Sequence, residues 1–107
     1  MTRLIFLCSR NQWRSPTAEA VYQNDPRVEV RSAGVSASAK RRVSEKLLLW
    51  ADQVLVMEHE HKQRLREQFP DLVHDLRMEV LDIPDDYPFM DPELVALIRQ
   101  RVEPLLG

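Results

Sequence analysis

The sequence predicts an α/β fold in which a parallel sheet is covered on both faces by helices. Three observations carry this. Short apolar runs bounded by polar residues recur at 4–7, 28–30, 54–57 and 79–83. Stretches whose apolar residues keep helical spacing lie between them. The first and third runs are continuous rather than alternating, as expected for strands buried on both faces. Alternating strands and helices then assemble into a three-layer sandwich around a parallel sheet.

Each element can be justified in order. Leu4-Ile5-Phe6-Leu7 reads as the first strand. Ser15-Pro16 marks a helix start, with serine as N-cap and proline in the first turn; Ala18, Val21 and Tyr22 give that helix its inner face. Val28-Glu29-Val30 alternates as a short strand ending at Ser32-Ala33-Gly34, where the glycine marks a turn. Ser44 is placed to cap a helix through Leu47, Leu48 and Trp50, with Trp50 expected in the core. Val54-Leu55-Val56-Met57 forms a third strand, residues 60–69 a helix with Leu65 and Phe69 on one face, and Glu79 to Ile83 a fourth strand. Asp91-Pro92 opens a last helix whose Leu94, Leu97, Ile98, Val102 and Leu105 keep helical spacing.

Composition narrows the function. A chain of 107 residues is expected to form one domain, 1–107, with a single modest core. A net charge of -2 gives no electrostatic case for a nucleic-acid partner, and the cluster Lys40-Arg41-Arg42 reads as a solvated turn. The apolar start, Leu4 to Cys8, is too short for a signal-peptide core, and no stretch is long enough to span a membrane. The single cysteine cannot form an internal disulfide, which fits a reducing cytoplasm.

That cysteine sits in "FLCSRNQWRSP", at the end of the first strand. A lone thiol there has two readings: a small buried core residue, or a nucleophile at the base of a phosphate cradle. In parallel sheets, ligands bind beyond the carboxyl ends of the strands. Cys8 lies at such an end, and the acidic cluster Asp82, Asp85 and Asp86 follows the fourth strand on the same edge. A tight loop between strand and helix aims successive backbone N–H groups inward, backed by the positive helix end. Such an environment lowers a thiol's pKa. Arg14, six positions after Cys8, can return to grip two phosphate oxygens, and Ser15 is placed to hydrogen-bond the thiolate. Asn11 suits a left-handed backbone position. Glu58-His59-Glu60-His61 hints at a metal site, but at a helix start these residues are expected to be solvated. His74 has no evident partner.

"LIFLCSRNQWRSPTAEAVY" resembles the amino-terminal signature of the low-molecular-weight protein tyrosine phosphatases, and "VRSAG", "RRVSEKLLLWADQVLVME" and "LDIPDDY" resemble segments of that family in the same order. The resemblance implies a four-stranded parallel sheet in the order 2-1-3-4 with a phosphate-binding loop after strand 1. It also implies hydrolysis of phosphate monoesters without metal or cofactor, through a phosphocysteine, with phosphotyrosine protein or a small phosphate monoester as substrate and neither nucleic acid nor membrane as partner. Cys8 matches the nucleophile and Arg14 the transition-state clamp. Ser9, Arg10, Asn11, Gln12, Trp13 and Arg14 form the phosphate-binding loop, and Asn11, Ser15 and Ser32 hold its shape. Asp85 matches the general acid, with Asp86 its rival, and Tyr87 can wall the substrate ring.

The chain also departs from the family. It is shortened mainly between Gly34 and Lys40. Arg10 stands where the family usually has glycine, Trp13 replaces a second cysteine, and Gln12 occupies a position linked to substrate choice. Three alternatives stand beside the phosphatase: a phosphate- or phosphoprotein-binding module without catalysis, an arsenate reductase using an external thiol, and a phosphocysteine carrier. The carrier has no use for an arginine six residues after its cysteine.

Overall fold

The computed structural model of the chain describes residues 1–106. Four parallel strands, β1 (Thr2–Cys8), β2 (Val28–Gly34), β3 (Gln53–Val56) and β4 (Met78–Val80), form one sheet in the order β2-β1-β3-β4. This is the order the resemblance implied. Because β1 is central, its residues pair on both sides: Phe6 stands between Ser32 of β2 and Leu55 of β3, and Cys8 pairs with Gly34.

The unbroken apolar run of β1 follows from this position. Successive side chains of a strand point to opposite faces, and here each face is covered. Leu4, Phe6 and Cys8 pack with Tyr22 of α1 (Arg14–Tyr22) and with Leu94, Ile98 and Val102 of α4 (Pro92–Leu106). Ile5 and Leu7 face the other way, against Leu47 and Leu48 of α2 (Glu45–Trp50) and Leu65 of α3 (His59–Gln68). Leu4, Ile5, Phe6 and Leu7 are each fully buried; at about 1.5–3 kcal/mol for each large apolar side chain, this strand anchors both halves of the core.

Ser44 caps α2 as expected, its hydroxyl accepting the Leu47 N–H at 3.2 Å. Asp91 does the same for α4, accepting the Glu93 N–H at 2.8 Å. The second strand ends at Ser32, Ala33 and Gly34 as expected, paired with Phe6, Leu7 and Cys8. Three expectations differ from the structure. Ser15 is not the cap of α1: the helix already begins at Arg14, and the Ser15 hydroxyl is turned toward Cys8. Trp50 is only half-buried; its ring lies beneath the guanidinium of Arg31, 4.2 Å from the ring centre, with that of Arg3 at 5.7 Å. Finally, β4 ends at Val80 rather than Ile83, because Asp82 takes a left-handed backbone conformation (φ 57°). Bonds from Leu81 N–H to Val56 O and from Ile83 N–H to Met57 O, both 2.8 Å, still hold this segment against the end of β3.

Candidate active site

The carboxyl ends of β1 and β3 and the segment after β4 converge on a cavity of about 410 Å³. Cys8, Arg14, Gln12 and Trp13 line it together with Arg64 and Asp85. Cys8 is nearly buried, 3% exposed. It lies in the core by its packing and in the cavity by its lining, so the two readings of its sequence position are compatible.

The loop from Ser9 to Trp13 has a one-sided hydrogen-bond pattern. Three of its five carbonyls are taken by the protein: Ser9 O accepts from Ser36 N–H at 2.9 Å, Arg10 O from Lys40 N–H at 3.0 Å, and Trp13 O from Thr17 N–H at 3.0 Å. Among the described residues, no backbone N–H from Ser9 to Trp13 donates to another protein group. Five unspent donors between a strand end and a helix start are what an anion cradle requires. Asn11 makes the turn with φ 57°, and Arg10 is not in the left-handed region, so a side chain replaces the family's glycine there without backbone strain. Gly34 shows how closely the cradle is backed: a Cβ there would fall 2.5 Å from Ser9 O and 2.6 Å from the Ala39 Cβ.

A buried relay holds the loop. Asn11 Nδ2 donates to Ser15 Oγ at 2.9 Å and to Ser32 Oγ at 3.0 Å. Ser32 Oγ in turn donates to Glu19 Oε1 at 2.6 Å. Ser15 Oγ lies 2.9 Å from Cys8 Sγ and 3.3 Å from Ala33 O. Its single proton can serve one of these at a time. With a thiol, Cys8 donates to Ser15, which donates to Ala33 O; with a thiolate, the hydroxyl turns and donates to sulfur. The arrangement accommodates both protonation states of Cys8 by one hydroxyl rotation.

Arg14 is 3% exposed and held from several sides. Its Nη1 donates to Glu58 Oε1 and, at 2.8 Å, to Ile83 O, and its Nε lies 3.6 Å from Asp85 Oδ1. A buried guanidinium needs such partners to offset its desolvation. Asp85, 56% exposed, stands at the mouth. Asp86 does not line the cavity, and Tyr87 packs against the core cluster on the α1–α4 face instead of walling it. Trp13, 44% exposed, occupies the wall position.

Glu58 and His61 enter the site against expectation. His61 is fully buried, not solvated. The Glu58 N–H donates to its Nδ1 at 3.1 Å, so Nε2 carries the proton and donates to Ser9 Oγ at 3.0 Å. Burial first, and the Arg14 charge second, push its pKa down to about 4, which keeps the ring neutral near pH 7. His61 thus ties the cradle to the segment that holds Arg14. A signal was present in the sequence: Glu58 follows the third strand directly, on the edge where Cys8 lies.

No protein-family model matches the chain. A protein-arginine-phosphatase of Geobacillus stearothermophilus is 34% identical over a 93-residue alignment taking in 64% of this chain and 63% of the relative. The match therefore spans less than two thirds of that relative's length. Among solved structures, the YwlE arginine phosphatase of Geobacillus stearothermophilus superposes with a TM-score of 0.72 at 29% identity, covering 99% of this chain and 88% of the other. The low-molecular-weight protein tyrosine phosphatase of Streptococcus pyogenes shares the fold, with a TM-score of 0.81 at 17% identity over 99% of this chain and 91% of the other. The chain is thus similar in sequence to protein-arginine-phosphatases and has the fold of the low-molecular-weight protein tyrosine phosphatases.

Proposed function

We propose that the chain is a cysteine-dependent protein phosphatase whose nucleophile is Cys8. The observation that carries this reading is the buried Cys8 thiol at the start of a loop with five unspent N–H groups, with Ser15 Oγ 2.9 Å away and the buried Arg14 lining the same cavity. The Cys8 thiolate attacks phosphorus; the S–P bond forms as the bond to the leaving atom breaks, and Asp85 gives that atom its proton. Arg14 and the loop amides hold the three equatorial oxygens, where charge collects. Water, giving its proton to Asp85, then attacks the phosphocysteine, releases inorganic phosphate and restores the thiolate.

Phosphotyrosine is the substrate the family's signature implies. Phosphoarginine is the second reading, favoured by the arginine phosphatases to which the chain is similar. There the leaving atom is a guanidine nitrogen rather than a phenolic oxygen. A chelator-treated assay with matched phosphotyrosine, phosphoarginine and phosphoserine peptides tests both. Release of phosphate from the first or second, abolished in Cys8→Ser, supports the reading. Binding of phosphate without turnover of any peptide or aryl phosphate would leave a non-catalytic phosphate-binding module in its place.

A further inference from the structure

We propose that the rim of the cavity carries a second anion subsite, built by Arg10 and Arg64, that selects phosphoprotein substrates with an acidic side chain next to the phosphorylated residue. This rests on the phosphatase reading above and gives it a substrate class.

Both arginines line the same cavity as Cys8. They arrive from different elements. The Arg10 backbone is fixed by the bond from Lys40 N–H to its carbonyl, which leaves its exposed side chain at the mouth. Arg64 stands three residues after His61 on α3 and so shares the helix face that meets Ser9. Among the described residues neither has a carboxylate partner: the ion pairs are those of Arg3, Arg14 and Arg27. Arg14, by contrast, already faces Glu58 and Asp85. A chain of net charge -2 therefore has two uncompensated cations at its catalytic mouth.

Size decides what they meet. The cavity measures about 410 Å³, whereas a water takes about 30 Å³ of liquid and a phosphoryl group a few times that. The scissile phosphate is served by the loop amides and Arg14 at the bottom, so most of the volume, including the part bounded by Arg10 and Arg64, is left for the rest of the substrate. Two guanidiniums there favour a carboxylate on a neighbouring residue.

The test uses phosphopeptide pairs that differ only in Glu or Gln at the positions flanking a central phosphotyrosine or phosphoarginine. The wild-type chain is expected to favour the Glu peptide about fivefold in kcat/KM at low salt, through KM, as exposed ion pairs of modest strength allow. Salt should erode this preference. Arg64→Gln should reduce the ratio toward one, whatever it does to nitrophenyl phosphate turnover. Arg10→Gln should reduce the same ratio, whatever it does to the rate of chemistry. Equal turnover of both peptides by the wild type overturns the subsite, as does an Arg64→Gln variant that loses Glu peptide, Gln peptide and nitrophenyl phosphate alike. If neither phosphopeptide nor nitrophenyl phosphate is turned over, the phosphatase reading fails separately. The Glu-to-Gln ratio read as Kd on Cys8→Ser then decides the subsite, and absence of any phosphopeptide binding overturns it too.

Discussion

At Ser15 a single hydroxyl stands within hydrogen-bond reach of the Cys8 sulfur. Its oxygen accepts from Asn11, so its own proton is free to reach sulfur 2.9 Å away. Ser15→Ala should therefore slow formation of phosphocysteine about tenfold or more in single-turnover kinetics, since a hydrogen bond to an ionised partner is lost. An unchanged first-step rate would mean that Ser15 contributes nothing to the attack by Cys8. The carboxylates are separable by leaving group. Acid assistance is worth about 10²–10⁴-fold and matters most when the leaving oxygen is basic. Asp85 lines the cavity beside Arg14, whereas Asp86 does not. Asp85→Asn should slow phenyl or alkyl phosphate far more than nitrophenyl phosphate, and Asp86→Asn should slow neither. The reverse pattern would move the acid to Asp86.

Between elements, two contacts hold the cradle in place. The first is the approach of the loop to β2, where Gly34 leaves no room for a methyl group against Ser9 O. Gly34→Ala should push the loop off the strand, at about 1–3 kcal/mol of stability. The loss would appear as a lower urea midpoint together with weakened phosphate binding; an unchanged midpoint and unchanged binding would show that the loop can shift freely. The second is His61, which joins α3 to Ser9 and to the Glu58 N–H. Its pKa is about 4 when folded against an ordinary 6.5. Between these values the unfolded chain holds the proton and the folded chain does not, so stability rises with pH across that window. The contribution, about 3 kcal/mol, is complete above pH 6.5 and lost as pH falls toward 4. His61→Asn should flatten urea-derived stability between pH 4 and 6.5; an unaltered slope would show that His61 is not the group that titrates.

For the molecule as a whole, the sheet and its edge were legible because they rest on period and order. The run Leu4 to Leu7 could be buried on both faces only in the middle of a covered sheet, and that placed Cys8 at a ligand-binding edge. The relay of Asn11, Ser15 and Ser32 was anticipated through the family signature, and the structure brings all three together. What the sequence did not disclose depends on contacts across distant segments. Trp50 looked like core because it is large and apolar, yet two arginines of neighbouring strands cover it. Polar neighbours on both sides made His61 look solvated, yet helical geometry turns it inward to a partner 52 residues away. Tyr87 leaves the wall expected of it because Asp82 turns its backbone into the left-handed region and the following segment packs onto the core, while Trp13 of the loop lines the cavity. Covalent catalysis by Cys8 is tested by rapid acid quench during turnover of a phosphotyrosine or phosphoarginine peptide. Mass analysis of the digested chain should find one phosphoryl group on the peptide containing Cys8, formed and consumed at rates that match steady-state turnover, and none in Cys8→Ser, which should still bind phosphate. Sustained turnover without phosphocysteine, or undiminished activity in Cys8→Ser, would contradict it.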